Sequence, residues 1–362
     1  MGFRFSPLEM LELSPNFWKD RAVFVTGHTG FKGGWLTLWL NHLGAKVYGY
    51  SLEAPTEPSF YHVTALRDYL QDAVIGDVRD LAALRVAIRK VQPSVVFHMA
   101  AKSLVQDCYQ TPVHTFETNV MGTVNLLEAS LLAESVQAVI NVTTDKCYEN
   151  REWVWPYRES DRLGGSDPYS SSKACADIAA SAYQTSFLDK AGIALASVRA
   201  GNVIGGGDWA ANRLVPDFFR AIEGNKALYI RSPAAVRPWQ HVLEPLCGYL
   251  LLAERLVVAD SSFTGAWNFG PTDSGNKTVS WIADYLCRRF HAARWEPDDS
   301  KSPPETALLT LDSSKAKTKL GWKPKWSLEA TLDRTVEWHE AWQKKHTMAE
   351  VSMRQIQAYE AL

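Results

Sequence analysis

AVFVTGHTGFKGG, residues 22–34, is the stretch whose reading decides the fold. A short apolar, partly β-branched run leads to Thr26, and Gly27, Gly30 and Gly33 follow at intervals of three, with Gly34 beside the last. Glycines so spaced permit a tight turn, let backbone approach a diphosphate, and allow the next helix to pack closely on the strand. The amides at that helix N-terminus then face an anion. A glycine string alone is weak evidence. Here it follows an apolar strand and precedes a helical pattern at about 31–43, which is the context a dinucleotide-binding turn requires. Gly27, Thr29, Gly30, Phe31, Lys32 and Gly33 are therefore candidate cofactor-binding residues.

Outward from this turn the chain alternates. Apolar runs recur at Ala22–Gly27, Val47–Ser51, Ala73–Gly76, Ser94–Ala101, Gln137–Thr144 and Ile193–Ala200, with helical patterns at about 31–43, 80–91, 113–133 and 168–190. Gly44 suits a left-handed helix cap, and Pro93 follows the second helix. Strands separated by helices imply right-handed crossovers and a parallel sheet covered on both faces. The expected class is α/β, a Rossmann-like doubly wound parallel sheet with a smaller mixed α/β substrate-binding domain. After Gly201 the rhythm breaks into loops at GGGDW (205–209) and Arg231–Pro238, and AWNFG (266–270) reads as a strand returning to the sheet. Residues 1–200 plus about 236–275 are expected to form the dinucleotide-binding unit, and about 201–235 plus 276–362 the second unit, ending in a polar helix.

Composition excludes other classes. The 362 residues carry 38 Lys+Arg against 40 Asp+Glu, a net charge of −2, which argues against a nucleic-acid partner. A hydrophobic fraction of 46% and a charged fraction of 22% are those of an ordinary globular protein. The longest apolar candidate, Leu246 to Val258, is interrupted by Glu254 and Arg255, so no membrane span is expected. Glu9 and Glu12 fall where a signal peptide needs an apolar core. Cysteines at 108, 147, 175, 247 and 287 form no CxxC pair, and the histidines show no HExxH or HxH spacing. That pattern fits neither a disulfide framework nor a zinc site, and a cytoplasmic protein without metal is expected.

Ligands of a parallel sheet lie beyond the carboxyl ends of its strands. Asp77 and Val78 follow the third strand, and Ala100, Ala101 and Lys102 end the fourth; these are candidate contacts for an adenosine moiety, although a lone Asp at a strand end is more often a helix cap. The second strand ends Tyr50–Ser51–Leu52, without the acid that holds a ribose 2′-hydroxyl; Glu53 lies one position further. Tyr169 and Lys173, in PYSSSKA, are four apart and share a helix face. An ammonium beside a phenol favours the phenolate, so Tyr169 is a candidate base for a sugar hydroxyl and Lys173 its partner, placed also to bind the nicotinamide ribose. Such a spacing is common by chance and gains weight only from the glycine turn upstream. Thr143, Thr144, Asp145 and Lys146 end the fifth strand with hydroxyls, an acid and an amine, a set suited to proton transfer, with a simple helix cap as the plainer reading.

TGHTGFKG, HMAA, TTDK and YSSSK, in that order, resemble the extended short-chain dehydrogenase/reductase superfamily, over nearly the whole chain including residues 311–338. More narrowly, the strings at 145–165, 199–221 and 237–250 resemble the CDP-D-glucose 4,6-dehydratases. The resemblance implies NAD as cofactor and a nucleotide sugar as substrate. It implies C4 oxidation, loss of water across C5 and C6, and return of the hydride to C6, within deoxysugar (O-antigen, lipopolysaccharide) biosynthesis. Tyr169 is then the C4 base, Asp145 the acid at the C6 oxygen, and Lys146 the C5 base where dTDP-glucose dehydratases carry Glu. Arg231 and Arg237 suit the diphosphate, since the guanidinium fork pairs with phosphate oxygens. Asn202, Leu214, Val215 and His241 join them by resemblance, and Trp209 is a further candidate for substrate contact. A homodimer or homotetramer, paired through helices near 113–133 and 168–190, is expected in the same way. A 4-epimerase or single-step reductase shares the turn and the Tyr–Lys pair but needs neither Asp145 nor Lys146.

Overall fold

The opening apolar run forms β1 (Ala22–Thr26), buried from Val23 to Phe24 and Val25 because both faces of its sheet are covered. The computed structural model describes residues 12–258, 261–290, 293–298 and 306–362. The stretch around Glu9 that was read against a signal peptide lies outside the described residues. The chain continues with β2 (Lys46–Ser51), β3 (Asp72–Ile75), β4 (Val95–His98), β5 (Ala138–Val142) and β6 (Ala194–Ala200). It then forms β7 (Asn202–Ile204), β8 (Leu228–Ile230), β9 (Val236–His241), β10 (Gly265–Phe269), β11 (Asn276–Thr278) and β12 (Trp295–Pro297). A seven-stranded, wholly parallel sheet runs in the order β10-β6-β5-β4-β1-β2-β3. The strand order reverses between β1 and β4, which opens a crevice at their carboxyl ends.

The longer helices are α1 (Phe31–His42), α2 (Leu81–Val91), α3 (Gly122–Leu131), α4 (Pro168–Tyr183), α5 (Leu214–Glu223), α6 (Leu243–Val258), α7 (Val279–Arg289), α8 (Leu328–Gln343) and α9 (Met348–Glu360). Their ends follow local chemistry. The Asp80 side chain accepts from the Ala83 amide at 2.9 Å to start α2, and Gln92 stops it in a left-handed conformation ahead of Pro93. Asp167 accepts from the Ser170 amide at 3.0 Å, and Pro168 follows at the first helical position of α4. The described structure thus has its main-sheet strands and flanking helices where the alternation of the sequence puts them.

A second core lies among Val215, Phe218, Phe219, Leu228, Ile230, Ile282, Leu286 and Leu332, under a three-stranded sheet ordered β11-β9-β7 and the β12–β8 pair. Two packing features cross the boundaries at 236 and 276. β9 pairs with β7 and β11 and not with the main sheet, because Trp239 buries into this second core. The polar-looking α9 does not belong to the second core either: Ile356 and Tyr359 enter the main one, with Tyr359 edge-on to Trp39 of α1 at 5.6 Å.

Candidate active site

One cavity of about 1340 Å³ runs from the glycine turn across the carboxyl ends of β1, β4 and β5 to the loops of the second unit. At its first end Gly27 is left-handed, with φ +76°, and a Cβ there would lie 2.7 Å from the Ala100 amide nitrogen. A Cβ on Gly33 would lie 2.2 Å from the Gly27 carbonyl oxygen. The turn is therefore closed to side chains, and the first turn of α1 faces the cavity through Gly30, Phe31 and Lys32. The Thr29 hydroxyl binds Ser51 Oγ at 2.8 Å and the Leu52 carbonyl at 2.9 Å, tying the turn to the end of β2; Glu53 lines the cavity beside them.

Asp77, Val78, Ala100, Ala101 and Lys102 line the same wall. Asp77 is no helix cap: it accepts from the Arg79 amide at 2.9 Å and from its guanidinium at 2.7 Å, and Arg79 holds the carboxyl below the usual range. Asn119 pins Lys102, accepting from its amide at 2.8 Å and donating to its carbonyl at 3.0 Å. Sequence reading missed Asn119, whose role appears only when α3's lead-in meets the end of β4.

Another wall of the cavity is formed where β5 runs out and α4 begins. Thr143, Thr144, Asp145, Lys146, Tyr169 and Lys173 all line the cavity. Asp145 is 2% exposed; Thr144 Oγ1 donates to its Oδ1 at 3.0 Å, while Oδ2 is buried without a hydrogen-bond partner. Burial raises the Asp145 carboxyl, opposed by the Lys146 ammonium, and an acid so placed retains its proton to higher pH than usual. Tyr169 departs from expectation. Burial pushes its phenol up to about 12; the groups pulling it down are the Thr144 hydroxyl and Arg213. The Lys173 ammonium turns to the Val142 carbonyl at 2.9 Å, and burial brings it down to about 8. Lys32 is the surprise of the turn. Its Nζ reaches Tyr249 of α6 at 3.2 Å, and burial, with Lys173 and Arg213 as like charges, lowers it to about 7.

Asn202, Leu214, Val215, Arg231 and Arg237 reach the far end of the cavity. His241 does not: it is wholly buried, edge-on to Trp35 at 5.9 Å and to Trp326 at 4.7 Å, and its Nδ1 accepts from the Leu243 amide at 3.2 Å. This last side chain of β9 is drawn into the core between α1 and the segment before α8. Trp209 lines the cavity, with its ring against Trp338 at 5.7 Å and Trp342 at 5.2 Å. Arg213, unforeseen from sequence, bridges the cavity from the start of α5, with Nη1 on Asp208 at 2.8 Å and Nη2 on Ser103 at 3.3 Å. Its only sequence signal was its place beside Leu214.

With this geometry in hand, two comparisons decide the family. The family model described as GDP-mannose 4,6 dehydratase matches residues 24–335. The CDP-glucose 4,6-dehydratase of Salmonella typhimurium is 51% identical over 353 residues, 96% of this chain and 98% of that protein. The chain belongs to the GDP-mannose 4,6-dehydratase family. This dehydratase family lies within the extended short-chain dehydrogenase/reductases, the superfamily whose motifs the sequence resembles. Solved structures agree on the fold. The epimerase Mth375 of Methanothermobacter thermautotrophicus superposes with a TM-score of 0.78 at 21% identity, over 91% of this chain and 96% of that one. A double mutant of the dTDP-glucose 4,6-dehydratase of Streptomyces venezuelae, with NAD bound, gives 0.73 at 25% identity, over 90% and 99%. Among the described residues no cluster of His, Cys, Asp and Glu is arranged to hold a metal ion, and no helix is long and apolar enough to cross a membrane.

Proposed function

We propose that this chain is a lyase that dehydrates CDP-D-glucose to CDP-4-keto-6-deoxy-D-glucose with NAD as cofactor. The observation that carries the reading is the buried Asp145 carboxyl, raised in pKa and with Oδ2 unpartnered, beside Tyr169 and Lys146 in one cavity with the glycine turn. The near-complete likeness to the Salmonella CDP-glucose enzyme supports the choice of nucleotide.

The residues present fit NAD. The turn at Gly27 and Gly33 is a cradle that any Cβ would fill, and helix α1 opens onto it. Gly27 to Gly33 would hold the diphosphate, Asp77, Val78 and Ala100 to Lys102 the adenosine side, and Thr143, Tyr169 and Lys173 the nicotinamide side. When bound, NAD supplies a reversible hydride acceptor. Tyr169 takes the proton of the C4 hydroxyl, with Thr144 and Arg213 favouring its base form against the burial that opposes it. Oxidation at C4 leaves a ketone that acidifies the C5 hydrogen. Lys146, as the neutral amine that this step requires, accepts that proton while Asp145 gives its own to the C6 oxygen, which departs as water. The proton then returns to C5, and NAD would supply the hydride that ends at C6. Excluding water from Asp145 favours the protonated form that this step uses. Arg213, Arg231 and Arg237 line the part of the cavity that takes the sugar nucleotide, with Asn202, Leu214 and Val215.

We assign β1 to β6, α6 and β10 to the cofactor unit, and β7 to β9, α5, α7 and α8 to the substrate unit. Val113, Phe116, Met121, Ile178 and Phe187 stand exposed along the 112–131 segment and on and after α4, a face for a second copy of the chain. Light scattering is expected to return a dimer or tetramer. The reaction is tested in D₂O with NAD and, separately, CDP-glucose, dTDP-glucose, UDP-glucose and GDP-mannose. Loss of one water from CDP-glucose, deuterium at C5 and a new C6 methyl are the expected result. Conversion to a C4 epimer of equal mass would overturn it.

A further inference from the structure

Behind the wall of the cavity lies a buried charge pair that none of the steps above uses. Asp177 follows Lys173 by four residues on α4, so the two share one helix face. Arg199 of β6 donates through Nε to Asp177 Oδ2 at 2.8 Å, and the two side chains are only 3% and 6% exposed. Neither lines the cavity. Thr143 Oγ1 donates to the same carboxylate oxygen at 3.2 Å, while Lys173 Nζ donates to the carbonyl of the preceding Val142 at 2.9 Å. Two consecutive residues at the end of β5 are thus each tied to α4, one through the lysine and one through the aspartate. Arg199 uses its remaining reach on the Tyr148 hydroxyl at 2.9 Å and the Glu159 carbonyl at 3.3 Å, and Tyr148 passes its own proton to Asn268 at 2.7 Å. The loop that follows Lys146 and the edge strand β10 are therefore anchored on the same pair.

We propose that Asp177 is a positioning residue for the reaction: its carboxylate, held by Arg199, is the counter-charge and the tether that fix Lys173 and Thr143 against the end of β5. This rests on the reading of Tyr169 and Lys173 given above and adds a residue to it. An ammonium buried with one carbonyl is costly unless a negative charge stands near. The groups facing Lys173 are Asp177 and Tyr169 on its own helix, Cys108 ahead of α3, Cys147 after β5, Lys32 on α1 and His98 on β4. Among the influences that favour its charged form, Asp177 is the largest, ahead of the two thiols, while burial opposes it. The row Lys173, Asp177, Arg199 alternates in sign, and with the carboxylate gone two cations remain. Arginine does not give up its proton, so lysine must.

The test is the titration of Lys173 itself, read by NMR in protein carrying [¹³Cε]lysine and assigned with Lys173→Met. In Asp177→Asn the midpoint of Lys173 is expected to fall by about one pH unit or more. The alkaline limb of kcat/KM moves down by the same amount. Should the orphaned guanidinium prevent folding, Asp177→Asn with Arg199→Met removes both charges in a pair that cores tolerate, and a smaller fall in the same direction is expected, since the lysine loses its counter-charge without an unpaired cation beside it. A midpoint unchanged in the variant that folds, with only thermal stability reduced, overturns the proposal and leaves the pair as a core ion pair. Because the titration is read without substrate, its failure stays separate from failure of the dehydratase reading, which the D₂O assay decides.

Discussion

Asp145 shows how one carboxyl acquires a chemical role from its surroundings. Its Oδ1 is satisfied by Thr144, its Oδ2 is not, and burial favours the protonated form. Asp145→Asn preserves size and removes the proton, so loss of water should slow by about 10²- to 10⁴-fold while C4 oxidation persists. Single-turnover mass spectrometry that separates the 4-keto sugar from the dehydrated one measures it. Equal slowing of both steps would assign Asp145 to binding. Asp145 and Lys146 were legible as candidates because they sit in sequence at a strand end. The raised pKa of Asp145 was not, since its burial, and the charges of Arg237 and Lys32 that oppose it, come from elsewhere in the chain. Tyr169 makes the same point: the four-residue spacing foretold a lysine on its face, but not that this lysine would turn to Val142.

At the scale of the element, α6 carries a carboxylate near each end, and each holds a terminal segment of the described chain. Glu254 accepts from the Ser14 amide at 3.0 Å and from Trp18 Nε1 at 2.7 Å. Glu244 accepts from the Lys325 and Trp326 amides and, at 2.6 Å, from the Tyr359 hydroxyl of α9. Burial outweighs these donors and pushes Glu244 from 4.5 up to about 7. A carboxyl raised on folding adds stability that is complete below about 4.5, falls as pH rises and is gone above about 7. The swing is about 3 kcal/mol. Glu244→Gln cannot titrate, so the stability of the parent relative to this variant should decline by that order between pH 4.5 and pH 8. Urea unfolding at several pH values checks it; a difference independent of pH would mean that Glu244 stays charged throughout. From the sequence this element showed only as an apolar run broken by Glu254 and Arg255, too interrupted to span a membrane. That Glu244 is an internal anchor was not legible, because its donors lie 81 to 115 residues away.

Across the whole molecule the C-terminal helix closes the main core. Met348, Val351, Ile356 and Tyr359 bury against the main core, and Glu360 accepts from Trp39 Nε1 at 2.7 Å. A chain ended after His346 loses those four side chains, worth about 1.5–3 kcal/mol each, and bares Glu244. It should unfold at markedly lower temperature, by calorimetry or circular dichroism, and an unchanged transition would show α9 to be dispensable. From the sequence this segment read as a polar tail of no evident role. Its apolar positions are few and spaced on one face, and a stripe that narrow becomes informative only when its partner surface is known.

The amino-acid sequence by itself determined the doubly wound sheet, the glycine turn and the run of candidate residues at strand ends. Those features rest on short-range rules: alternation of apolar runs, glycines three apart, caps, and the four-residue face of a helix. Only the tertiary structure decided that His241 is core, that Arg213 spans the cavity, and that Asp177 and Arg199 stand behind Lys173. It alone decided which acid burial shifts toward its protonated form and which backbone carbonyl Lys173 meets. Burial and counter-charge are properties of distant segments brought together, and no local pattern records them.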